Sequence, residues 1–99
     1  MKIIVLSGRL TADPEVKEVG EKGVKVANFT LANNDRDGND GEFFDVSCWD
    51  RVADFVDGYV KKGQKVIVQG SFQDDVYKDK DGVNRHRFRI TAHNIEFGG

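Results

Sequence analysis

The seven residues Phe43-Phe44-Asp45-Val46-Ser47-Cys48-Trp49 carry the most telling chemical pattern in the chain. In an extended strand successive side chains point to opposite faces, so Phe44, Val46 and Cys48 share one face while Phe43, Asp45, Ser47 and Trp49 share the other. The first set is a core face. The second puts two large rings beside two polar groups, which suits neither a solvated surface nor an interior. Two readings of those rings are open. Either Trp49 caps the fold at a strand-to-helix corner and Phe43 packs beneath the preceding loop, or both are offered to a ligand that has flat apolar faces. A nucleic-acid base is such a ligand, and an exposed ring gives it about 1–3 kcal/mol of stacking without any hydrogen-bond readout. Six residues apart on a strand, the two rings would stand about 20 Å from each other and could support different nucleotides of one strand.

A second group lies around Asp81-Gly82, a strong hairpin signal. With those residues as a two-residue turn, Tyr77 faces His86, Val76 faces Arg87, Asp75 faces Phe88 and Asp74 faces Arg89. Tyr77, His86 and Phe88 then form an aromatic side, and Arg85, Arg87 and Arg89 form a basic side with Lys78, Val76 and Asp74. Rings for bases and cations for phosphates are what a binder of single strands needs, although a solvated hairpin also carries charge for solubility alone. Catalytic groupings are poor by comparison. His86 and His93 lie seven apart, Cys48 is the only cysteine, and no Gly-rich phosphate loop is present. Asp74 and Asp75 are neighbours on a strand and point to opposite faces, so they cannot converge on a metal or act as an acid/base pair. The expectation is a non-enzyme with no catalytic residue, no metal and no cofactor.

Bulk properties bound the rest. A chain of 99 residues makes one domain, spanning 1–99, large enough to bury a core without disulfide or metal staples. The lone Cys48 sits on the apolar face and reads as a buried, inert thiol in a reducing compartment. No apolar run reaches the roughly 18–20 residues that span a bilayer, and the opening Met1–Leu10 segment is too short for a signal peptide. A cytoplasmic, nucleoid-associated protein with no membrane partner is expected. Net charge is −2, which by itself speaks against a polyanion binder. Acids, however, crowd residues 34–58, whereas residues 59–99 hold Lys61, Lys62, Lys65, Lys78, Lys80, Arg85, Arg87 and Arg89 against five acids.

The elements that position these residues follow from periodicity. Lys2–Leu10 alternates as a strand with Ile4, Leu6, Gly8 and Leu10 on one face, and Ile3 and Val5 make its second face apolar as well, as though another subunit covered it. Ala12-Asp13-Pro14-Glu15 is a turn, after which Gly23–Asn34 reads as a strand with Ala27, Phe29 and Leu31 inward. A polar loop over 33–41 leads to the Glu42–Trp49 strand. From Asp50, a plausible N-cap, the period changes: Val52, Phe55, Val56, Tyr59 and Val60 line one face of a short helix that Lys61-Lys62-Gly63 ends. Two long strands close the chain. The predicted class is all-β, a five-stranded OB-fold barrel with one short helix between strands 3 and 4.

The stretches "SGRLTADPEVK", "GVKVANFTLA", "WDRVADFVDGYVKKGQKVIVQG" and "VYKDKDG" together resemble the bacterial single-stranded DNA-binding protein family over nearly the whole chain. The resemblance implies an OB-fold, a homotetramer or dimer joined through the first strand, and sequence-independent binding and protection of single-stranded DNA in replication, recombination or repair. It also implies base stacking on Phe43, Trp49 and Tyr77, and backbone contacts from Lys2, Lys61 and Lys62. Arg85, His86 and Phe88 complete the candidate set from the hairpin. Three features depart from the family pattern. Gln73-Asp74-Asp75-Val76 stands where basic residues usually precede the hairpin ring, and the 33–41 loop lacks an aromatic, leaving Arg36 as its one contact. The family's acidic tail, which recruits replication proteins, is not seen after Asn94-Ile95-Glu96-Phe97, so recruitment through it is not expected here, whether this is a binding core or a tailless phage or mobile-element relative. The rival function is a protein-binding subunit of a replication assembly that has lost DNA affinity.

Overall fold

The computed structural model describes residues 2–33 and 42–98. Their strands are β1 (Ile3–Leu10), β2 (Glu15–Val19), β3 (Val24–Asn33), β4 (Glu42–Trp49), β5 (Lys65–Lys78) and β6 (Asn84–Phe97), with one helix, α1 (Asp50–Tyr59), between β4 and β5. They make one sheet in the order β1-β5-β6-β4-β3-β2, which closes on itself where Arg9 and Leu10 of β1 pair with Ala32 and Leu31 of β3. The all-β class and the single helix after the Phe43–Trp49 strand are as the periodicity predicts.

The strand absent from the sequence reading is β2. It lies beside β3 along the same edge that β1 uses, so β1 and β2 form one interrupted strand. From Leu10 to Glu15 the chain takes five steps where β3, from Leu31 to Asn28, takes three, and the surplus is absorbed by the Thr11–Pro14 turn. Val16 and Val19 lie three apart, which hides the period of two that betrays a strand. The ring itself has five members.

Alternate residues of every ring strand point inward. Leu10, Ala27, Leu31, Val46, Cys48, Val66, Val68 and Ile90 are almost wholly buried, and α1 adds Ala53 and Val56 from one end, with Val60 just beyond it. Asp50 is not the N-cap. It is the first helical residue, with φ 56°, while Trp49 occupies the cap position without a side-chain cap bond. Its carboxylate still lies in the first turn, where the helix dipole favours an anion.

The closing hairpin corrects the predicted register by one residue. Tyr77 pairs with Arg85, Val76 with His86, Asp75 with Arg87 and Asp74 with Phe88. The cause is the loop: three residues, Lys80–Gly82, separate Asp79 from Val83, and Asp79 N–H donates to the Val83 carbonyl at 3.0 Å. Gly82 supplies φ 78°, the left-handed residue that such a loop needs, and its N–H returns to the Asp79 carbonyl at 3.0 Å. The Asp79 carboxylate accepts from the N–H groups of Asp81 and Val83 at 2.9 and 3.0 Å and fixes the turn. Further down, the β5–β6 register slips again between Gln69 and Gly70, and a Cβ on Gly70 would run into the Thr91 carbonyl.

Candidate nucleic-acid interface

The one-residue correction rearranges the faces of the hairpin. Side chains paired across a ladder share a face, so Tyr77 joins Arg85, Asp75, Arg87, Gln73 and Arg89. Beside them, β4 pairs in parallel with β6, placing Asp45 next to Arg89 and Ser47 next to Thr91. Phe43, Asp45, Ser47 and Trp49 therefore lie on the same outer surface as Tyr77 and the three arginines. That surface continues onto β3, where Thr30 stands beside Asp45 and Asn28 beside Ser47.

The rings on this surface are open. Phe43 is 62 % exposed, Trp49 48 % and Tyr77 52 %, whereas Phe44, on the opposite face of the same strand, is 6 % exposed. Trp49 stands opposite Val26, which shares its outer face and is itself buried. Along β4 between the positions of Phe43 and Trp49 lies an open groove of about 420 Å³ lined by Glu15, Asn28, Phe29, Thr30, Asp45, Val46, Ser47, Arg87 and Arg89. Its floor is a polar row: Ser47 Oγ donates to Asn28 Oδ1 at 2.6 Å, Thr30 Oγ1 to Asp45 Oδ1 at 3.2 Å, and Arg87 Nε to Asp45 Oδ2 at 2.8 Å. The sequence reading passed over Asn28 and Thr30, although their alternation with Ala27, Phe29 and Leu31 is the signal that places them outward.

His86 and Phe88 are not on this surface. They belong to the inner face of the hairpin, where Phe88 packs against Phe72 and Phe44 at centroid distances of 5.6 and 6.0 Å and is half-buried. His86 stacks on Phe88 and holds Nδ1 2.9 Å from Asp74 Oδ1. The aromatic side predicted from Tyr77, His86 and Phe88 is thus split, with Tyr77 on one surface and the other two on the opposite face, where Phe88 packs against the core and His86 stays exposed.

Each hairpin arginine has a carboxylate partner. Arg85 Nε lies 2.9 Å from Asp79, Arg87 Nε 2.8 Å from Asp45, and Arg89 Nη1 3.4 Å from Asp75. Arg85, aided by the Val83 and Asp81 N–H groups, holds Asp79 below the ordinary carboxylate range, and Asp45 raises Arg87 above its ordinary value. Burial pushes the Cys48 thiol up to about 11, so the thiolate is disfavoured, in keeping with an inert core residue.

The remaining candidates lie apart. Lys2 is exposed at the start of β1, where its carbonyl accepts from Phe72 N–H at 3.2 Å, close to the base of the hairpin. Lys61 and Lys62 are exposed in the turn after α1, and the Lys62 N–H is tied to Asp13 Oδ1 at 2.8 Å. Arg36 falls outside the described residues. Among the described residues there is no group of His, Cys, Asp and Glu able to hold a metal ion.

Comparison with known proteins agrees with this architecture. The model of the single-strand binding protein family matches residues 1–98. Single-stranded DNA-binding protein 3 of Clostridium acetobutylicum is 37 % identical over 101 residues, covering 98 % of this chain and 70 % of that protein. Single-stranded DNA-binding protein 1 of Synechocystis is 39 % identical over 100 residues, covering 97 % of this chain and 82 % of the relative. A third, single-stranded DNA-binding protein 1 of Clostridium acetobutylicum, is 33 % identical and is itself covered over 93 % of its length. The match takes in every strand and the helix, and the ring of five strands with one intervening helix is the OB-fold that the family implies. The chain belongs to the single-strand binding protein family.

Proposed function

We propose that this chain is a non-catalytic protein that binds and protects single-stranded DNA without sequence preference, working in the cytoplasm during replication, recombination or repair. Bases stack on Phe43, Trp49 and Tyr77, and the phosphates are met by arginines of the hairpin together with Lys2, Lys61 and Lys62. The observation that carries this reading is the placement of three exposed rings and three arginines on one outer surface of the sheet, the same surface that holds an open groove lined in part by Arg87 and Arg89. Stacking needs flat apolar faces and no fixed hydrogen-bond code, so exposed rings suit binding without sequence preference. Family membership and the names of the relatives support the same partner.

Subunits are proposed to associate through β1 as dimers or tetramers. Ile3 and Val5 are exposed on its outer face, and along Ile3–Gly8 no strand pairs with its second edge among the described residues. A titration with poly-dT at fixed low salt tests the DNA reading. Quenching of Trp49 emission with an affinity that falls as salt rises supports it, and absence of binding at micromolar protein refutes it.

A further inference from the structure

The outer surface holds an arrangement that a polyanion site does not need. Three arginines are matched by three aspartates, so the stripe expected to meet phosphates is close to electrically neutral. Two of the three pairs lie within the hairpin itself. Asp79 fixes the hairpin loop through backbone N–H groups, and the Asp75 contact is long, at 3.4 Å. Asp45 is different. It reaches Arg87 from another strand, 42 residues away in sequence, by the shortest of the three contacts. Both of its oxygens are engaged, by Thr30 and by Arg87, so the carboxylate is fixed in the middle of the groove between Phe43 and Trp49.

We propose that Asp45 is a built-in competitor for the phosphates of the bound strand, a latch that holds Arg87 until DNA displaces it. This rests on the reading of the surface as a single-strand path. The latch is weak by construction, because both partners are partly exposed, Arg87 at 64 % and Asp45 at 41 % of their side chains, and exposed ion pairs contribute little. A phosphate arriving with stacked bases therefore outcompetes it, while the carboxylate subtracts from affinity by holding one cation and repelling the strand. The alternative role, a carboxylate that orients Arg87 toward phosphate, predicts the opposite sign.

The test is a titration of the full chain with a dT oligonucleotide at fixed low salt, followed by Trp49 fluorescence, with thermal melting as the check on folding. Asp45→Asn should tighten binding by about twofold to fivefold, the range that an exposed ion pair spans. Asp74→Asn removes the same charge on the opposite face and should leave affinity within error of the parent. Arg87→Ala should cost more in the Asp45→Asn background than in the parent, which is the coupling a latch requires. If Asp45→Asn melts early, Asp45→Ser, which keeps a hydroxyl for Thr30, repeats the measurement. Weakened or unchanged binding by these variants overturns the latch while leaving the DNA reading standing, and so does equal tightening by Asp74→Asn. A parent and variants that all fail to bind overturn both.

Discussion

Phe43 and Phe44 are adjacent in the chain and opposite in placement, because the period of two in a strand sends one outward and the other into the core. Removing a ring from the outer surface should therefore cost binding, and removing one from the inner face should cost stability. Trp49→Ala and Tyr77→Ala are each expected to weaken single-strand binding by about 1–3 kcal/mol, whatever the sequence, with the melting temperature little changed. Phe44→Ala should instead destabilise the fold by about 3–5 kcal/mol in denaturant titrations. A stable Phe44→Ala variant beside an unfolded Phe43→Ala would invert the assignment of faces. Cys48 gives a prediction in pH. Its thiol titrates at about 11 in the fold against an ordinary 9.0, so the stability it contributes is intact below pH 9.0 and is lost as pH rises toward 11. Cys48→Ala should abolish that part of the alkaline loss, measured by urea unfolding at pH 8 and pH 10.5, and an unchanged pH dependence would place its origin in other groups.

At the scale of elements, the turn decides the chemistry of the hairpin. A two-residue turn at Asp81-Gly82 and the observed three-residue loop differ by one step of register, and one step exchanges the faces of the two strands relative to each other. Asp75 thereby lies on the groove side with Arg89, and Asp74 lies on the core side with His86. Asp75→Lys should tighten DNA binding and steepen its salt dependence by about 0.7 log units per log unit, whereas Asp74→Lys should not. Equal effects of the two substitutions would contradict the observed register. Gly82→Ala should cost about 1 kcal/mol or somewhat more, the penalty of a left-handed conformation for a residue with a Cβ. Gly70→Ala, whose Cβ meets backbone rather than a movable side chain, should cost more, and thermal melting ranks the two.

For the molecule as a whole, the outer face of β1 poses a problem of solubility that association would solve. Ile3 and Val5 are 65 % and 64 % exposed, with Ile67 near them on β5, and along Ile3–Gly8 no strand among the described residues pairs with the second edge of β1. A two-fold pairing of this face with itself covers both liabilities at once, and tethered subunits would share one DNA strand at high effective concentration. Ile3→Lys combined with Val5→Lys should give smaller particles in sedimentation velocity. It should also weaken binding to long oligonucleotides more than to those short enough for one subunit. A parent chain that sediments as a monomer at tens of micromolar would refute the assembly. No helix among the described residues is long and apolar enough to cross a membrane.

Features that depend on local periodicity are legible in the amino-acid order. The alternation in Phe43–Trp49 is read correctly because one face is uniformly apolar, and the change of period after Asp50 marks α1 because its buried positions recur at helical spacing. The same alternation, together with the quoted motifs, carried the family and the fold class. Which surfaces these elements share follows from the closure of the sheet and the length of its turns. The loop bonds around Asp79 set the hairpin register, and the parallel pairing of β4 with β6 brought Asp45 and Arg87, 42 residues apart, to 2.8 Å. Neither is written in a periodicity. A register depends on how many residues a turn consumes, and a contact between distant strands depends on how the sheet closes.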